Sequence, residues 1–200
     1  MNTAKTNYGT KKQLAADNPR YLFVEHQIEK GMQFPFIANF DDNRSFIVLE
    51  GEVEVFFVVK NGELESQVYQ SMDGWHTLAG GCFQIKITNG NRAVIVEAGS
   101  VEGDYLEIND ISKVSYNLIP NPSYLPLSKY LVQKPWGDEV WYTENLENSS
   151  YALKKIRMNA GNQSSLQSHE KKLETNFVIQ GAATVLAGVI APEDLNAGID

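Results

Sequence analysis

The chain has 200 residues, which at roughly 150 residues per domain suits one generous domain or two tight ones. Hydrophobic residues at 42% and charged residues at 21% exclude a disordered chain. The 17 Lys plus Arg against 25 Asp plus Glu (net −8) repel a phosphate backbone, so nucleic acid is not an expected partner. A single cysteine, Cys82, leaves no disulfide framework or thiolate metal cluster and fits a cytoplasmic setting. No run approaches the ~18 apolar residues of a membrane span, and the opening MNTAKTNYGTKKQ has no apolar signal core, so a membrane is not expected either. Residues 1–120 carry 10 basic and 16 acidic groups while 121–200 carry 7 and 9, which suggests two parts with different tasks.

In chain order, weak helical periodicity at 11–16 is followed by strand patterns at 21–28, 46–49 and 53–59. The last of these, VEVFFVV, runs into Lys60-Asn61-Gly62-Glu63, where Asn-Gly is a strong hairpin signal because both turn residues favour positive φ. Further strands are expected at 65–69, 93–97 and 115–118. Three of the seven prolines then fall within Ile119-Pro120-Asn121-Pro122-Ser123-Tyr124-Leu125-Pro126, a stiff extended linker. Beyond it, 139–143, 152–158, 176–179 and 183–186 again read as strands. Many short strands between turn signals indicate an all-β sandwich or barrel.

Shifting the chain against itself by 130 residues places Gly31 on Gly161 and Gly51 on Gly181. Phe46-Ile47-Val48-Leu49 then falls on Asn176-Phe177-Val178-Ile179, and Val55 on Val185. A duplication explains this agreement better than chance placement of glycines. Within the second copy, Gln167 and His169 lie two apart and so share one face of a strand, and Glu174 can return to that face across a short loop. An amide oxygen, an imidazole and a carboxylate suit a borderline divalent cation, with Zn²⁺, Fe²⁺, Mn²⁺, Co²⁺ and Ni²⁺ all compatible. A solvated histidine beside lysines explains the same residues without a metal.

The string from Gly161 through Gln167, His169 and Glu174 to Gly181 has the order G-x5-Q-x-H-x4-E-x6-G. It resembles the first cupin motif, G-x5-H-x-H-x3,4-E-x6-G, with glutamine for the first histidine. Ser165-Leu166-Gln167-x-His169 is similar to the cupin domain of type II mannose-6-phosphate isomerases, often fused to mannose-1-phosphate guanylyltransferases. Lys134-Pro135-Trp136-Gly137, Glu139-Val140, Tyr151 and Lys154-Lys155-Ile156 follow that family's order, so the resemblance covers about residues 131–188. It implies a double-stranded β-helix (jelly-roll) bicupin whose second barrel is incomplete: an N-terminal cupin at 15–118, a Pro-rich linker at 119–128 and a partial C-terminal cupin at 129–200. It further implies a divalent metal, Zn²⁺ first, held by Gln167, His169 and Glu174, a sugar-phosphate substrate, aldose–ketose isomerisation in the intact protein, and a homodimer. The family's fourth ligand, a histidine from a second motif, would fall past Asp200. The residues around Glu170-Lys171-Lys172 also depart from the family's histidine-rich, arginine-bearing pattern, which opens the question of substrate and of the catalytic base. A non-catalytic sugar-binding module and a structural, dimerising bicupin are the competing readings.

The same template laid on the first copy puts Ile37 and Asn39 at the histidine positions, Arg44 at the glutamate and Gly51 at the closing glycine, with Asn91 or Arg92 near the second motif. That half reads as a barrel without a metal. Arg44, Arg92 and Lys86 could line the former metal pocket and hold an anion such as a sugar phosphate, or simply face solvent. Trp136 is a candidate to stack on a sugar ring, with Lys134 beside it, although packing explains a large aromatic equally well. Neither His26 nor His76 has a ligand partner by spacing, and no phosphate-binding glycine loop or nucleophile elbow is present.

Overall fold

The computed structural model describes residues 2–15, 18, 20–32, 34–38, 41–100, 105–108, 110–147, 149–165 and 171–185. Their regular structure is β, with two short 3₁₀ turns at Ile111–Lys113 and Tyr116–Leu118. The strands are β1 (Thr3–Thr6), β2 (Gly9–Gln13), β3 (Leu22–Glu29), β4 (Phe36–Ala38), β5 (Arg44–Val58), β6 (Leu64–Gln70), β7 (Gly74–Thr77), β8 (Cys82–Gly99), β9 (Leu106–Ile108) and β10 (Tyr124–Pro126). They form one antiparallel sheet in the order β1-β2-β3-β8-β5-β7-β10, with β6 on β5, β4 on β8 and β9 on β4. A second, three-stranded sheet comprises β11 (Tyr130–Lys134), β12 (Gly137–Trp141) and β13 (Lys154–Met158).

The large sheet curls because its two longest strands change partners along their length. β5 pairs with β7 over Arg44–Ile47 and with β6 over Glu52–Val58, while β8 follows it from Arg44↔Gly99 to Val58↔Cys82. Between Val48 and Val53 the register slips around Gly51, whose φ of +87° no larger residue adopts cheaply. The slip shifts the inward phase by one residue: Phe46 and Val48 point inward before it, Val53, Val55 and Phe57 after it. These side chains, with Ile28, Trp75, Phe83, Ile85, Ala93 and Ile95, form the barrel core, each burial stabilising by about 1.5–3 kcal/mol for the large ones. The outward residue Ile47 meets Leu127 and Tyr142, with Leu49, Val140 and Leu153 packed around them, so the second sheet leans on the back of β5.

The three-stranded sheet repeats β1–β3. Both hairpins close over two residues, at Thr6↔Gly9 and at Lys134↔Gly137. In both, a Cβ on the glycine would overlap a carbonyl of the third strand, Gln27 O at 2.1 Å or Arg157 O at 1.9 Å. Glu29 N donates to Tyr8 O and Asn159 N to Trp136 O, each at 2.9 Å. The strand then ends in the same turn, Met32 N to Glu29 O and Asn162 N to Asn159 O, both 3.1 Å. Gly31 and Gly161 take φ of +83° and +77°, and Gly51 and Gly181 +87° and +82°. The repeat expected at an offset of 130 thus has a backbone counterpart from Glu29 and Asn159 onward, while the two hairpins correspond at an offset of 128.

Several expected elements differ. Residues 11–13 of the expected helix belong to strand β2, held between β1 and β3. Residues 116–118 form a 3₁₀ turn, not a strand, because Leu118 N and Ile119 N return to Ser115 O and Tyr116 O. The proline-rich segment is not free of pairing: its Tyr124–Pro126 stretch is β10, with Tyr124↔Thr77 and Pro126↔Trp75. Pro126 takes the edge, where no ladder N–H is needed on its outer side. In the turn after β5, only Gly62 has positive φ, and Gly62 N closes the loop on Val59 O at 2.8 Å. Residues 176–179 and 183–185 carry no strand, and residue 186 lies outside the described residues.

Candidate functional site

The interior phase of the barrel is apolar except at one end. On β3 the inward series Val24, His26 and Ile28 contains an imidazole; on β8 Ala93, Ile95 and Glu97 ends in a carboxylate; on β5 Arg44, Phe46 and Val48 begins with a guanidinium. All three polar groups are buried, His26 to 3% exposure, Arg44 to 1% and Glu97 to 0%. Glu97 Oε2 lies 2.8 Å from His26 Nε2, and Glu97 Oε1 accepts from the Tyr105 hydroxyl. The Tyr8 hydroxyl, 2.9 Å from His26 Nδ1, completes the chain. Burial first, then the Glu97 charge, pushes the Tyr8 phenol up to about 12, so it remains a donor. The Glu97 carboxylate can only accept, so His26 Nε2 carries a proton directed at it. Burial pushes the Glu97 carboxyl up, but the His26 hydrogen bond and charge, Arg44 and Tyr105 outweigh it and hold the carboxyl below the usual range.

Arg44 stands apart from this satisfied network. Its Nη1 is 3.6 Å from Glu97 Oε1, close enough for charge attraction but outside hydrogen-bonding distance. Nε, Nη1 and Nη2 are buried with no hydrogen-bond partner among the described residues, as are Thr77 Oγ1 and Trp75 Nε1. Thr77 is the register partner of Arg44, and Trp75 that of Phe46, so these groups sit on adjacent strands. Arg92 does not join them. It is half exposed and grips Glu50 through Nη2 at 2.8 Å and Nε at 3.0 Å. Seven residues along β8 from Gly99, the partner of Arg44, it is about 23 Å away at strand rise. Lys86 is exposed as well, paired in register with Glu54.

A second buried network lies on the back of β5. Ser45 Oγ is 2.8 Å from His76 Nδ1 and 2.7 Å from the Tyr151 hydroxyl, while His76 Nε2 faces Tyr142 O at 3.1 Å and Asn145 Oδ1 at 3.2 Å. Neutral His76, accepting at Nδ1 and donating at Nε2, satisfies every contact. Burial lowers its pKa, in keeping with that state. The Ser-His pair is enclosed and its members already bonded, so it joins the two sheets and does not act as a nucleophile. Cys82 is likewise inert: burial pushes its thiol up to about 12.

Of the three expected metal ligands, Gln167 and His169 lie outside the described residues. Glu174 is described; its Oε2 is 2.7 Å from Lys172 Nζ, and that hydrogen bond above all keeps the carboxyl below its ordinary range. The segment around it touches the first barrel, with Thr175 Oγ1 2.6 Å from the Tyr21 hydroxyl, Phe177 edge-on to Phe23, and Lys171 O accepting from Arg20 Nη1 at 2.9 Å. Among the described residues no three His, Cys, Asp or Glu side chains converge on a metal position. Lys134 is exposed, and Trp136 occupies the hairpin position that Tyr8 holds in the first repeat. At the other end of β12, Lys154 Nζ reaches Glu139 Oε1 at 3.2 Å and lies 5.0 Å from the Trp141 ring, whose Nε1 donates to Glu139 Oε2 at 2.9 Å. Sequence reasoning singled out Arg44 but missed its buried neighbours His26 and Glu97. Their signal is a polar residue in the inward phase of an otherwise apolar strand.

With this geometry in place, comparison with solved structures is informative about the fold. Lactobacillus farciminis oxalate decarboxylase in complex with formate superposes with a TM-score of 0.50 at 9% identity, covering 55% of this chain and 34% of that one. A second oxalate decarboxylase gives 0.50 at 10% identity over 55% and 30%. The cupin domain of Schizosaccharomyces pombe Cnp3 aligns at 0.43 and 14% identity over 51% and 69%. The fold is a cupin-type jelly roll. The chain spans about a third of the length of the decarboxylases it matches. No protein-family profile matches the chain, and no curated protein matches it. No described helix is long and apolar enough to cross a membrane.

Proposed function

We propose that the chain is a metal-binding cupin of the mannose-6-phosphate-isomerase type, with the metal in the C-terminal half and a first barrel that has given up metal chemistry. The observation that carries this reading is the G-x5-Q-x-H-x4-E-x6-G string of the second repeat, which follows in sequence a β11–β13 meander that duplicates β1–β3. Gln167, His169 and Glu174 would hold the ion. The donor set fits a divalent cation of the Zn²⁺ or Mn²⁺ kind: Glu174 is held anionic, the state a ligand needs, and its partner Lys172 is an exposed side chain that can swing away. A bound divalent ion supplies Lewis-acid polarisation of the sugar's C1 and C2 oxygens. The chain's own contribution is positioning. Trp136, standing where Tyr8 faces the first barrel's polar cluster, offers a ring for the sugar, and Lys134 and Lys154 offer cations for its phosphate. The assay is conversion of mannose 6-phosphate to the ketose phosphate by the full-length, metal-loaded protein. Turnover lost on Gln167→Ala or Glu174→Ala supports the reading, and absence of turnover in the wild type overturns it.

A purely binding or dimerising role is the second reading, favoured by Arg44 standing at the position of the motif glutamate in the first barrel. Under that reading the protein binds a sugar without converting it.

A further inference from the structure

A guanidinium carries five N–H donors and cannot shed its charge, so burying it without acceptors is costly. Arg44 is 1% exposed, and none of its three nitrogens has a hydrogen-bond partner among the described residues. Glu97 attracts the guanidinium by charge but does not meet this need, because its approach to Nη1 stops at 3.6 Å, outside hydrogen-bonding distance. Opposite Arg44 on β7, the Thr77 hydroxyl is also buried and unbonded. On the other side, β8 presents Gly99, where a methyl group would lie 2.5 Å from Arg44 Cδ and 2.6 Å from Nη1. The glycine therefore makes the seat that the guanidinium occupies. A buried fork of donors beside one hydroxyl, with no acceptor hydrogen-bonded to it among the described residues, describes a receptor for a planar oxyanion.

We infer that the N-terminal barrel binds a small monocarboxylate, held by the Arg44 guanidinium with a further hydrogen bond from the Thr77 hydroxyl. The class follows from charge. Arg44 and Glu97 carry opposite charges, so one added negative charge beside the guanidinium is tolerable, whereas a phosphate dianion would set two charges close to the Glu97 carboxylate. Planarity points the same way, since a carboxylate meets both arms of the fork in one plane. This site is independent of the C-terminal metal reading and uses none of its residues.

The test is a titration of the ¹⁵N-labelled full chain, kept in chelator, with acetate, phosphate and chloride at constant ionic strength, following the Arg44 Nε–H signal. The inference expects a saturable shift with acetate that neither phosphate nor chloride reproduces. Thr77→Val, which keeps volume and removes the hydroxyl, should weaken acetate about five- to tenfold. Arg44→Met should abolish saturable acetate binding measured by calorimetry. If Arg44→Met does not fold, the wild-type titration and Thr77→Val still decide. An unmoved Arg44 signal, an equal response to chloride, a preference for phosphate, or undiminished binding in either variant overturns the assignment. Because chelator is present throughout, failure here leaves the metal reading untouched, and loss of the metal reading leaves this one standing.

Discussion

Glu97 is the residue on which the interior cluster depends, because a fully buried carboxylate persists only with donors and a counter-charge around it. His26, Tyr105 and Arg44 supply them. Glu97→Gln leaves Arg44 buried without a counter-charge and presents an NH₂ where two donors expect oxygens. It should cost about 3–5 kcal/mol, read as a lowered urea midpoint with unchanged slope. The sign of the acid dependence follows from the lowered carboxyl. The unfolded chain takes up the proton first as pH drops below the ordinary value of 4.5, so stability is lost as pH falls through the lower folded value. The variant should lack that component when the midpoint is followed against pH. Arg44 was legible as a candidate, but the pairings of the cluster were not, since Tyr8–His26 and His26–Glu97 are joined across 18 and 71 residues. Only the folding of three strands into one curled sheet brings them together.

At the scale of elements, the glycine pairs were legible because a backbone requirement shows as residue identity, whereas the polar outer strands were not. β1 (TAKT), at the sheet edge, and β2 (GTKKQ) beside it have no apolar alternation, having little to bury, and within β8 the stretch from Lys86 to Arg92 is largely exposed and reads as loop. The glycines also give a graded prediction. Gly31 and Gly51 share positive φ, but a Cβ at Gly31 meets nothing within 4 Å, whereas at Gly51 it meets Arg92 O at 2.7 Å. Gly31→Ala should cost about 1 kcal/mol and Gly51→Ala clearly more, measured by chemical denaturation. The His76 network between the sheets predicts a second pH effect. Burial depresses its folded pKa below 6.5, so the unfolded state binds the extra proton and stability falls as pH drops from about 6.5 toward the folded value. His76→Gln should flatten the curve in that window, and Tyr151→Phe should cost about 1 kcal/mol without flattening it.

For the whole molecule, the fold class was legible in the turn-and-strand rhythm, and the jelly roll now stands on the sheet order and the solved cupin-type neighbours. The division of labour remains the central claim: a first barrel whose motif glutamate has become Arg44, and a second repeat that keeps a carboxylate at Glu174 with Gln167 and His169 upstream. Opposite charges at matched positions cannot both hold a cation, so metal should follow the second set alone. The direct measurement is metal content per chain of the purified full-length protein, by elemental analysis, for the wild type, His169→Ala/Glu174→Ala and Arg44→Met. The account predicts one divalent ion per chain in the wild type and in Arg44→Met, and none in the double variant. A double variant that still holds one ion per chain, or a wild type that binds none when supplied with Zn²⁺ or Mn²⁺, would contradict it.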